Sequence, residues 1–263
     1  MLCIRRRRDL ALVGNPPRYR HKRLRMTQPQ ALIFDVFGTL VDWHGSIRRE
    51  LQTTLVKGLG LQLDAAALAT AWRAQYQPAM QEIRSGQRAF CDLDVLHRRN
   101  LDVVLNDAGV SAAVDEATRQ HLVHAWHRLQ AWPEVGEALA LLRQRFLLAP
   151  CSNGHIALMV ALARHNAWHW DAVLGAELAR DYKPQPIVYT TACRALGLAP
   201  AQVMMVACHS SDLAAAAAAG LQCGFIARPE EGGPGVGETA PACAVQAQGQ
   251  DLLQLARGLL ANA

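Results

Sequence analysis

The stretch ALIFDVFGTLVD, residues 31–42, decides the fold of this chain. Its first four residues are all apolar, which is typical of a parallel strand covered on both faces. The apolar run stops at Asp35, and a Gly-Thr turn follows at residues 38–39. Open α/β sheets bind their ligands beyond the carboxyl ends of the strands. The stretch therefore predicts a buried first strand with a functional carboxylate at its tip.

Four further apolar runs continue this pattern along the chain. They are residues 146–149, 172–174, 202–207 and 223–227. Helical periodicity fills the intervals at residues 135–145, 156–165, 184–196 and 212–220, and Pro184 stands where a first helical turn accepts proline. Strands that alternate with helices predict an α/β fold with a doubly wound parallel sheet.

Residues 46–130 interrupt the alternation with helical patterns alone. The predicted helices are residues 46–59, 64–84, 89–107 and 114–129, and Pro78 is expected to kink or divide the second. We interpret the segment as a smaller, all-helical cap over the carboxyl edge of the sheet, where it would exclude water from a reaction. The sheet domain then consists of residues 27–45 and 131–263.

The positive charge of the chain is concentrated at its amino end. All 263 residues carry a formal charge of +5, but residues 1–25 hold nine basic side chains and one acidic side chain. The other 238 residues hold 18 basic and 21 acidic side chains, so this mildly acidic body gives no reason to expect nucleic acid as a partner. A hydrophobic content of 51% excludes a disordered chain. No apolar run reaches the roughly 18 residues that a membrane span needs.

The basic segment, residues 1–26, is predicted to be a disordered extension. A nucleic-acid or membrane arm is one alternative. An export signal is not favoured, because residues 10–13 form too short an apolar stretch and no A-x-A site follows. We favour a third interpretation, in which the segment precedes a natural start at Met26.

Seven cysteines are scattered along the chain without a C-x-x-C motif. The odd number and the irregular spacing argue against a disulfide framework and against a zinc site, and they favour a reducing cytoplasm. Histidines recur at three-residue spacing at positions 121, 124 and 127. We interpret these histidines as a solvated helix face in preference to a metal site.

Polar residues stand at four successive strand ends. Asp35 follows the first strand, Ser152 and Asn153 the second, Lys183 the third and Asp212 the fourth. Because the carboxyl ends of parallel strands meet at one edge of a sheet, these side chains are expected to converge there. A carboxylate in such a place can serve as a nucleophile.

These motifs resemble those of the haloacid dehalogenase superfamily over about residues 31–228. Within the superfamily the chain is most similar to the type II (S)-2-haloacid dehalogenases. The narrower match rests on DVFGT at residues 35–39, Arg73 after Trp72, SNG at residues 152–154 and the motif Lys183-Pro184-x-Pro186-x-x-Tyr189. The resemblance implies hydrolysis of short (S)-2-haloacids to (R)-2-hydroxy acids with no metal and no cofactor. The implied partners are the haloacid and water, and a homodimer is left open.

The resemblance also implies a role for each motif residue. Asp35 displaces the halide and forms an ester, which water then hydrolyses at the Asp35 carboxyl carbon. Ser152, with backbone N–H groups near Val36 and Asn153, holds the substrate carboxylate; Arg73 and Asn153 hold the halide; Lys183 keeps Asp35 and Asp212 ionised; Asp212 orients or activates the water; and Thr39 fixes the Asp35 rotamer. Phe37 and Trp43 are expected to form an apolar wall, and Tyr189 either lines the pocket or packs in the core.

Phe37 separates this chain from the phosphatases of the superfamily. Those enzymes carry a second aspartate two residues after the nucleophile, which protonates the leaving alkoxide and helps to hold Mg²⁺, and here that position is Phe37. A halide leaves without a proton, and a hard dication needs more oxygen ligands than Asp35 and Asp212 supply. Two more functions stay open on the sequence alone: hydrolysis of another carbon–heteroatom bond, and ligand binding without catalysis.

The fourth motif departs from the common Ser-Ser-Asn-x-x-Asp pattern, since residues 207–212 read ACHSSD. His209 stands where that pattern has asparagine. We interpret it either as a base or hydrogen-bond donor in the hydrolytic step or as a structural histidine.

Overall fold

The computed structural model describes residues 28–261, so the predicted basic extension and the start at Met26 lie outside the described residues. Within them the strands are β1 (Ala31–Phe34), β2 (Val41–Asp42), β3 (Gln130–Ala131), β4 (Leu147–Ser152), β5 (Leu174–Gly175), β6 (Val203–Ala207), β7 (Gln222–Ile226) and β8 (Ala247–Gly249). Six of these form one parallel sheet in the order β5-β4-β1-β6-β7-β8. The predicted α/β fold with a parallel sheet is confirmed.

Strand β1 lies at the centre of the sheet, hydrogen-bonded to β4 on one side and to β6 on the other. All four of its side chains are fully buried. Leu32 and Phe34 pack into the apolar core on one face, and Ala31 and Ile33 pack into the core on the opposite face. Burial on both faces explains why β1 is a continuous apolar run, and its central place puts Asp35 in the middle of the sheet edge.

Residues 43–129 are helical apart from their connections. Their helices are α1 (Trp43–Leu51), α2 (Ala65–Ala74), α3 (Tyr76–Arg84), α4 (Leu93–Asp107) and α5 (Glu116–Val123), with a π-helix at Gln52–Gly58 and 3₁₀ turns at Ser111–Ala113 and His124–Arg128. Strands β2 and β3 pair antiparallel where the chain enters and leaves this segment. The helical character agrees with the sequence patterns, whereas the division into a sheet domain and a cap domain stays a prediction.

The remaining helices pack on the two faces of the sheet. They are α6 (Val135–Leu142), α7 (Ile156–His165), α8 (Ala176–Ala179), α9 (Pro186–Ala195), α10 (Ser210–Ala218) and α11 (Leu252–Ala261), with a 3₁₀ turn at Pro200–Gln202. Buried side chains of α6, α7 and α11 share the core of Leu32 and Phe34. Those of α9 and α10 share the core of Ala31 and Ile33, so the sheet is covered on both faces.

The predicted helix over residues 64–84 is divided, but not at Pro78. Helix α2 ends at Ala74 and α3 begins at Tyr76, so Pro78 lies in the first turn of α3. An N–H in the first turn has no partner within its own helix, and proline is therefore tolerated there. The start of α2 is fixed by Asp64, whose carboxylate accepts hydrogen bonds from the N–H groups of residues 66 and 67.

Several other predicted boundaries are wrong by a few residues. Helix α1 begins at Trp43 because the Asp42 carboxylate caps it by accepting from the N–H of residue 45. Helix α9 begins at Pro186, so Pro184 lies outside its first turn.

Strand β8 and helix α11 are missing from the predicted elements. Strand β8 reads AQG and is too short to show periodicity. Helix α11 is missed although its leucines at 252, 255 and 259 have helical spacing.

We expect Leu32→Ala to lower the free energy of unfolding by about 2–5 kcal/mol, because it opens a cavity in the buried centre of the sheet. Leu147→Ala is a matched control, since Leu147 lies on the neighbouring strand β4 but is 44% exposed. Leu147→Ala should lower the free energy of unfolding by less than about 1 kcal/mol. Urea unfolding followed by circular dichroism measures both values, and equal losses would contradict the packing described for β1.

Candidate active site

Asp35 directly follows β1, and its carboxylate lies at the centre of the site. Thr39 Oγ1 donates to Oδ2 at 2.7 Å, and Lys183 Nζ donates to Oδ1 at 2.8 Å. His209 Nδ1 lies 3.1 Å from Oδ2. The residue is only 6% exposed. Both oxygens of the carboxylate are therefore held in place by named partners.

The turn after Asp35 brings Thr39 back onto the carboxylate. The Gly38 N–H donates to the Val41 carbonyl at 3.1 Å and closes the turn. Gly38 has a φ of +86°, a left-handed conformation that glycine adopts without the steric cost of a Cβ. A Cβ at this position would also clash with the Glu231 side chain. The glycine of the opening motif is thus required by both the backbone and its surroundings.

Lys183 lies between two carboxylates. Its Nζ donates to Asp35 Oδ1 at 2.8 Å and to Asp212 Oδ2 at 2.5 Å. The Lys183 N–H donates to Asn153 Oδ1 at 2.8 Å, which anchors the loop before α9. Asp212 lies in the first turn of α10, and the Tyr189 hydroxyl donates to its Oδ1 at 2.5 Å. Hydrogen bonds thus join residues from four strand ends, as their positions in the sequence predict.

The charges in this group stabilise one another. Burial alone raises the pKa of Asp35, but Lys183 and His209 outweigh burial and hold that pKa well below its usual range. Burial also opposes the charge of Lys183, but Asp212 and Asp35 outweigh it and raise the pKa of the ammonium group. Asp35 is therefore ionised at neutral pH although it is buried, and an ionised carboxylate is the nucleophilic form.

His209 lies between two carboxylates, because its Nε2 is 3.4 Å from Glu231 Oε2 while its Nδ1 faces Asp35. Burial lowers the pKa of His209, but the adjoining Cys208 sulfur and the two carboxylates outweigh burial and raise that pKa well above its usual value. Burial also raises the pKa of the Cys208 thiol, which keeps the thiol neutral. The two carboxylates are therefore the anions that stabilise an imidazolium at position 209.

Glu231 is a site residue that the sequence analysis does not predict. It lies in the loop after β7, and Trp43 Nε1 donates to its carboxylate. Burial raises the pKa of Glu231, but His209 outweighs burial and lowers it, so the carboxylate is ionised. Residues 230–231 are an acidic pair in a loop without periodicity, and no motif distinguishes Glu231 from its neighbour.

A cavity of about 570 Å³ opens beside these groups. The predicted site residues that line it are Asp35, Phe37, Arg73, Asn153, Lys183, His209 and Asp212. Helix α3 adds Tyr76, Gln77, Gln81 and Arg84, none of which the sequence analysis predicts as site residues. Val36, Thr39, Ser152, Tyr189 and Trp43 lie outside this lining. The cavity thus has one wall from the sheet edge and another from the helical segment.

Ser152 and Tyr189 lie beneath the cavity lining and hold residues of the site in place. Ser152 is fully buried, and its Oγ accepts a hydrogen bond from the Gly154 N–H at 3.1 Å, which stabilises the loop that presents Asn153. A direct contact of Ser152 with a substrate carboxylate stays a prediction. Tyr189 is fully buried and binds Asp212, so its placement fits the core-packing interpretation better than a pocket wall.

Arg73, near the end of α2, is surrounded by aromatic rings. Its guanidinium carbon lies 3.9 Å from the centre of the Tyr76 ring, 5.2 Å from that of Trp43 and 5.9 Å from that of Phe37. Its Nη1 is buried and has no hydrogen-bond partner among residues 28–261. A half-buried cation with a buried nitrogen that lacks an acceptor favours the binding of an anion.

Asp35, Cys208 and His209 place three potential metal-ligating atoms within 4.8 Å of one another. However, the Lys183 ammonium group lies 2.8 Å from the same Asp35 carboxylate and repels a second cation. Phe37 offers no ligand at the position where the phosphatases of the superfamily carry their second aspartate. The arrangement is suited to displacement by a carboxylate and is poorly suited to Mg²⁺.

Comparison with known proteins agrees with this geometry. A family model of haloacid dehalogenase-like hydrolases matches residues 29–220. (S)-2-haloacid dehalogenase 4A of Burkholderia cepacia is 28% identical over 215 residues, which cover 81% of this chain and 88% of that protein. A crystal structure of an L-2-haloacid dehalogenase is 44% identical with a TM-score of 0.84, over 89% of this chain and 99% of that one. The crystal structure of a defluorinating L-2-haloacid dehalogenase is 38% identical with a TM-score of 0.86, and the match covers 88% of this chain and 95% of that one. The chain therefore belongs to the haloacid dehalogenase-like hydrolases.

Proposed function

We propose that this protein hydrolyses the carbon–halogen bond of short (S)-2-haloacids and releases (R)-2-hydroxy acids. One observation carries the proposal: a single cavity is lined by the ionised Asp35 carboxylate and by Arg73, whose buried Nη1 has no hydrogen-bond partner among residues 28–261. A nucleophile and an anion site in one cavity suit a displacement that expels a halide. The relatives named as (S)- or L-2-haloacid dehalogenases support the same chemistry.

In the first step a carboxylate oxygen of Asp35 attacks C2 of the haloacid from the side opposite the halogen. The new C–O bond forms as the carbon–halogen bond breaks, the halide leaves with the bonding electrons, and the configuration at C2 inverts. Thr39 and Lys183 fix the attacking carboxylate, which reduces the entropic cost of reaching the reactive geometry.

Arg73 and Asn153 receive the departing halide. Asn153 Oδ1 already accepts from the Lys183 N–H, so its NH₂ group is the part of the side chain that can donate to an anion. The Arg73 guanidinium supplies the positive charge that stabilises the developing halide. Phe37 and Tyr76 are cavity-lining aromatic rings close to the guanidinium, and they limit the access of water to this charge.

In the second step water attacks the ester carbonyl carbon of Asp35, the acyl C–O bond breaks, and the leaving alkoxide takes up the proton that His209 has removed from the water, which gives the hydroxy acid. The Asp35 carboxyl group then ionises and restores the imidazolium at position 209. Esterification removes the charge of Asp35, so His209 loses one of the two carboxylates that raise its pKa. The pKa of His209 consequently falls when the ester forms, so the imidazolium releases its proton to solvent and the neutral imidazole can take the proton of the attacking water. His209 is thus a base only after the first step.

Asp212 acts mainly through Lys183 in this proposal. Both of its oxygens are engaged, Oδ2 by the Lys183 ammonium and Oδ1 by the Tyr189 hydroxyl. Because both oxygens of Asp212 already accept hydrogen bonds, we assign the proton of the attacking water to the imidazole of His209. Asp212 and Tyr189 are positioning residues that keep the ammonium beside Asp35.

A reducing location also fits this proposal. Each of the six described cysteines is free, and Cys151, Cys193, Cys208 and Cys223 are buried. Within residues 28–261, no helix combines the length and the apolar character that crossing a bilayer requires. The cytoplasm and a homodimer both stay predictions.

With the two enantiomers of 2-chloropropionate as substrates, we expect chloride release from the (S) form and a far lower rate from the (R) form. Asp35→Ala should lower kcat/KM at least about 10³-fold, because no neighbouring group replaces a positioned nucleophile. Asp107→Ala is the matched control, since Asp107 is an exposed aspartate at the end of α4. An ion-selective electrode measures the chloride.

EDTA should leave the initial rate of chloride release unchanged, because the proposed steps use side chains of this chain and no metal. The proposal would be contradicted if neither enantiomer released chloride while the protein hydrolysed a generic phosphate ester in the presence of Mg²⁺. That result would favour a phosphatase.

We expect His209→Ala to release a burst of about one chloride per active site and then to turn over slowly, because the first step does not need the imidazole. Rapid-quench kinetics measure the burst, and intact-protein mass spectrometry detects the accumulated ester. His165→Ala, a change at an exposed histidine, should leave both rates as they are. If His209→Ala kept the steady-state turnover of the parent, His209 would have only a structural role.

A further inference from the structure

A second cluster of ionisable side chains lies outside the cavity lining. Asp94 comes from α4, His127 from the 3₁₀ turn at His124–Arg128, and His155 from the loop between β4 and α7. His127 Nε2 is 2.9 Å from both oxygens of Asp94, and His155 Nε2 is 3.6 Å from Asp94 Oδ2. One ligating atom from each residue lies within 4.8 Å of the other two.

Among residues 28–261, His155 is the member of this cluster that has no hydrogen-bond partner. Its side chain is only 8% exposed, and within residues 28–261 its buried Nδ1 has no hydrogen-bond partner. Its Nε2 lies 3.6 Å from Asp94 Oδ2, which is longer than a hydrogen bond. Because no hydrogen bond of either ring nitrogen to residues 28–261 is found, Nε2, the nitrogen that faces Asp94, is free to bind a ligand.

We propose that Asp94, His127 and His155 bind a transition-metal dication of the Zn²⁺ class. Ligand atoms about 2.0–2.1 Å from a tetrahedral Zn²⁺ are about 3.3 Å apart, and the distances of 2.9 and 3.6 Å lie on either side of that value. Two imidazoles and one carboxylate suit Zn²⁺ and related ions, whereas Mg²⁺ and Ca²⁺ prefer sets of oxygen ligands. The fourth ligand of the tetrahedron is water.

The position of the cluster gives the ion a structural role. Asp94 and His127 belong to the helical segment, residues 43–129, and His155 follows the Asn153 loop at the edge of the sheet. An ion with ligands from both sides ties the helical segment to the sheet and fixes the loop that presents Asn153. Metal binding displaces the proton that His127 shares with Asp94, so the ion replaces that hydrogen bond.

The experiment uses the whole chain, freed of metal with EDTA and then titrated with ZnSO₄ at neutral pH. We expect one high-affinity Zn²⁺ per chain by calorimetry and elemental analysis, with a dissociation constant on the order of 1 μM or below, and a rise in the melting temperature. Asp94→Asn and His155→Ala should each weaken binding at least about tenfold and abolish most of that rise. His169→Ala, a change at an exposed histidine that follows α7, should bind like the parent.

One further readout, the visible absorption of bound Co²⁺, makes the test decisive. Co²⁺ in place of Zn²⁺ should give the intense visible d–d absorption of a tetrahedral site in the parent and not in Asp94→Asn, which changes little in volume and is expected to fold. Zn²⁺ bound at Asp35, Cys208 and His209 would survive both substitutions, so unchanged binding in the two variants contradicts the proposal. Absence of stoichiometric binding to the parent contradicts it as well. Chloride release enters none of these readouts, so failure here leaves the proposed dehalogenation untouched.

Discussion

The site depends on one ammonium group, the Nζ of Lys183, which lies between the carboxylates of Asp35 and Asp212. Removing these charges from water costs several kcal/mol per ion, so the group is stable only when each charge keeps close partners. Two hydrogen bonds keep these partners close: Asn153 accepts from the Lys183 backbone N–H, and Tyr189 donates to Asp212. Without the ammonium, the pKa of one carboxylate would rise. Asp35 would then lose the charge that makes it a nucleophile.

The helical segment completes what the sheet edge begins. Arg84 of α3 donates from Nη1 to the Lys183 carbonyl at 2.7 Å, so the segment touches the loop of the central ammonium directly. Arg73 of α2 adds a guanidinium that lies among aromatic rings and whose Nη1 is buried. The anionic nucleophile and the cationic halide site therefore come from different parts of the chain. The distance between the Asp35 carboxylate and the Arg73 guanidinium therefore depends on how the helical segment packs against the sheet.

Much of this arrangement could be predicted from the sequence, because it rests on strand ends. Buried parallel strands are continuous apolar runs, so the polar residues that follow them, such as Asp35 and Lys183, stand out and share one sheet edge. Glu231 and the contact of His155 with Asp94 could not be predicted, because they join residues that tertiary packing alone brings together. Tyr189 shows the intermediate case: its motif marks it, but its Asp212 partner lies on another helix.

The most direct test of the central claim, that Asp35 forms a covalent ester, is a single turnover with excess enzyme in ¹⁸O-water. Water attacks the Asp35 carboxyl carbon in this account, so the first product should be mostly unlabelled and a tryptic peptide containing Asp35 should gain ¹⁸O. Asp35→Ala should show neither product nor label. Labelled hydroxy acid in the first turnover, with no label in the protein, would mean that Asp35 activates water to attack C2 directly. That result would contradict the covalent mechanism.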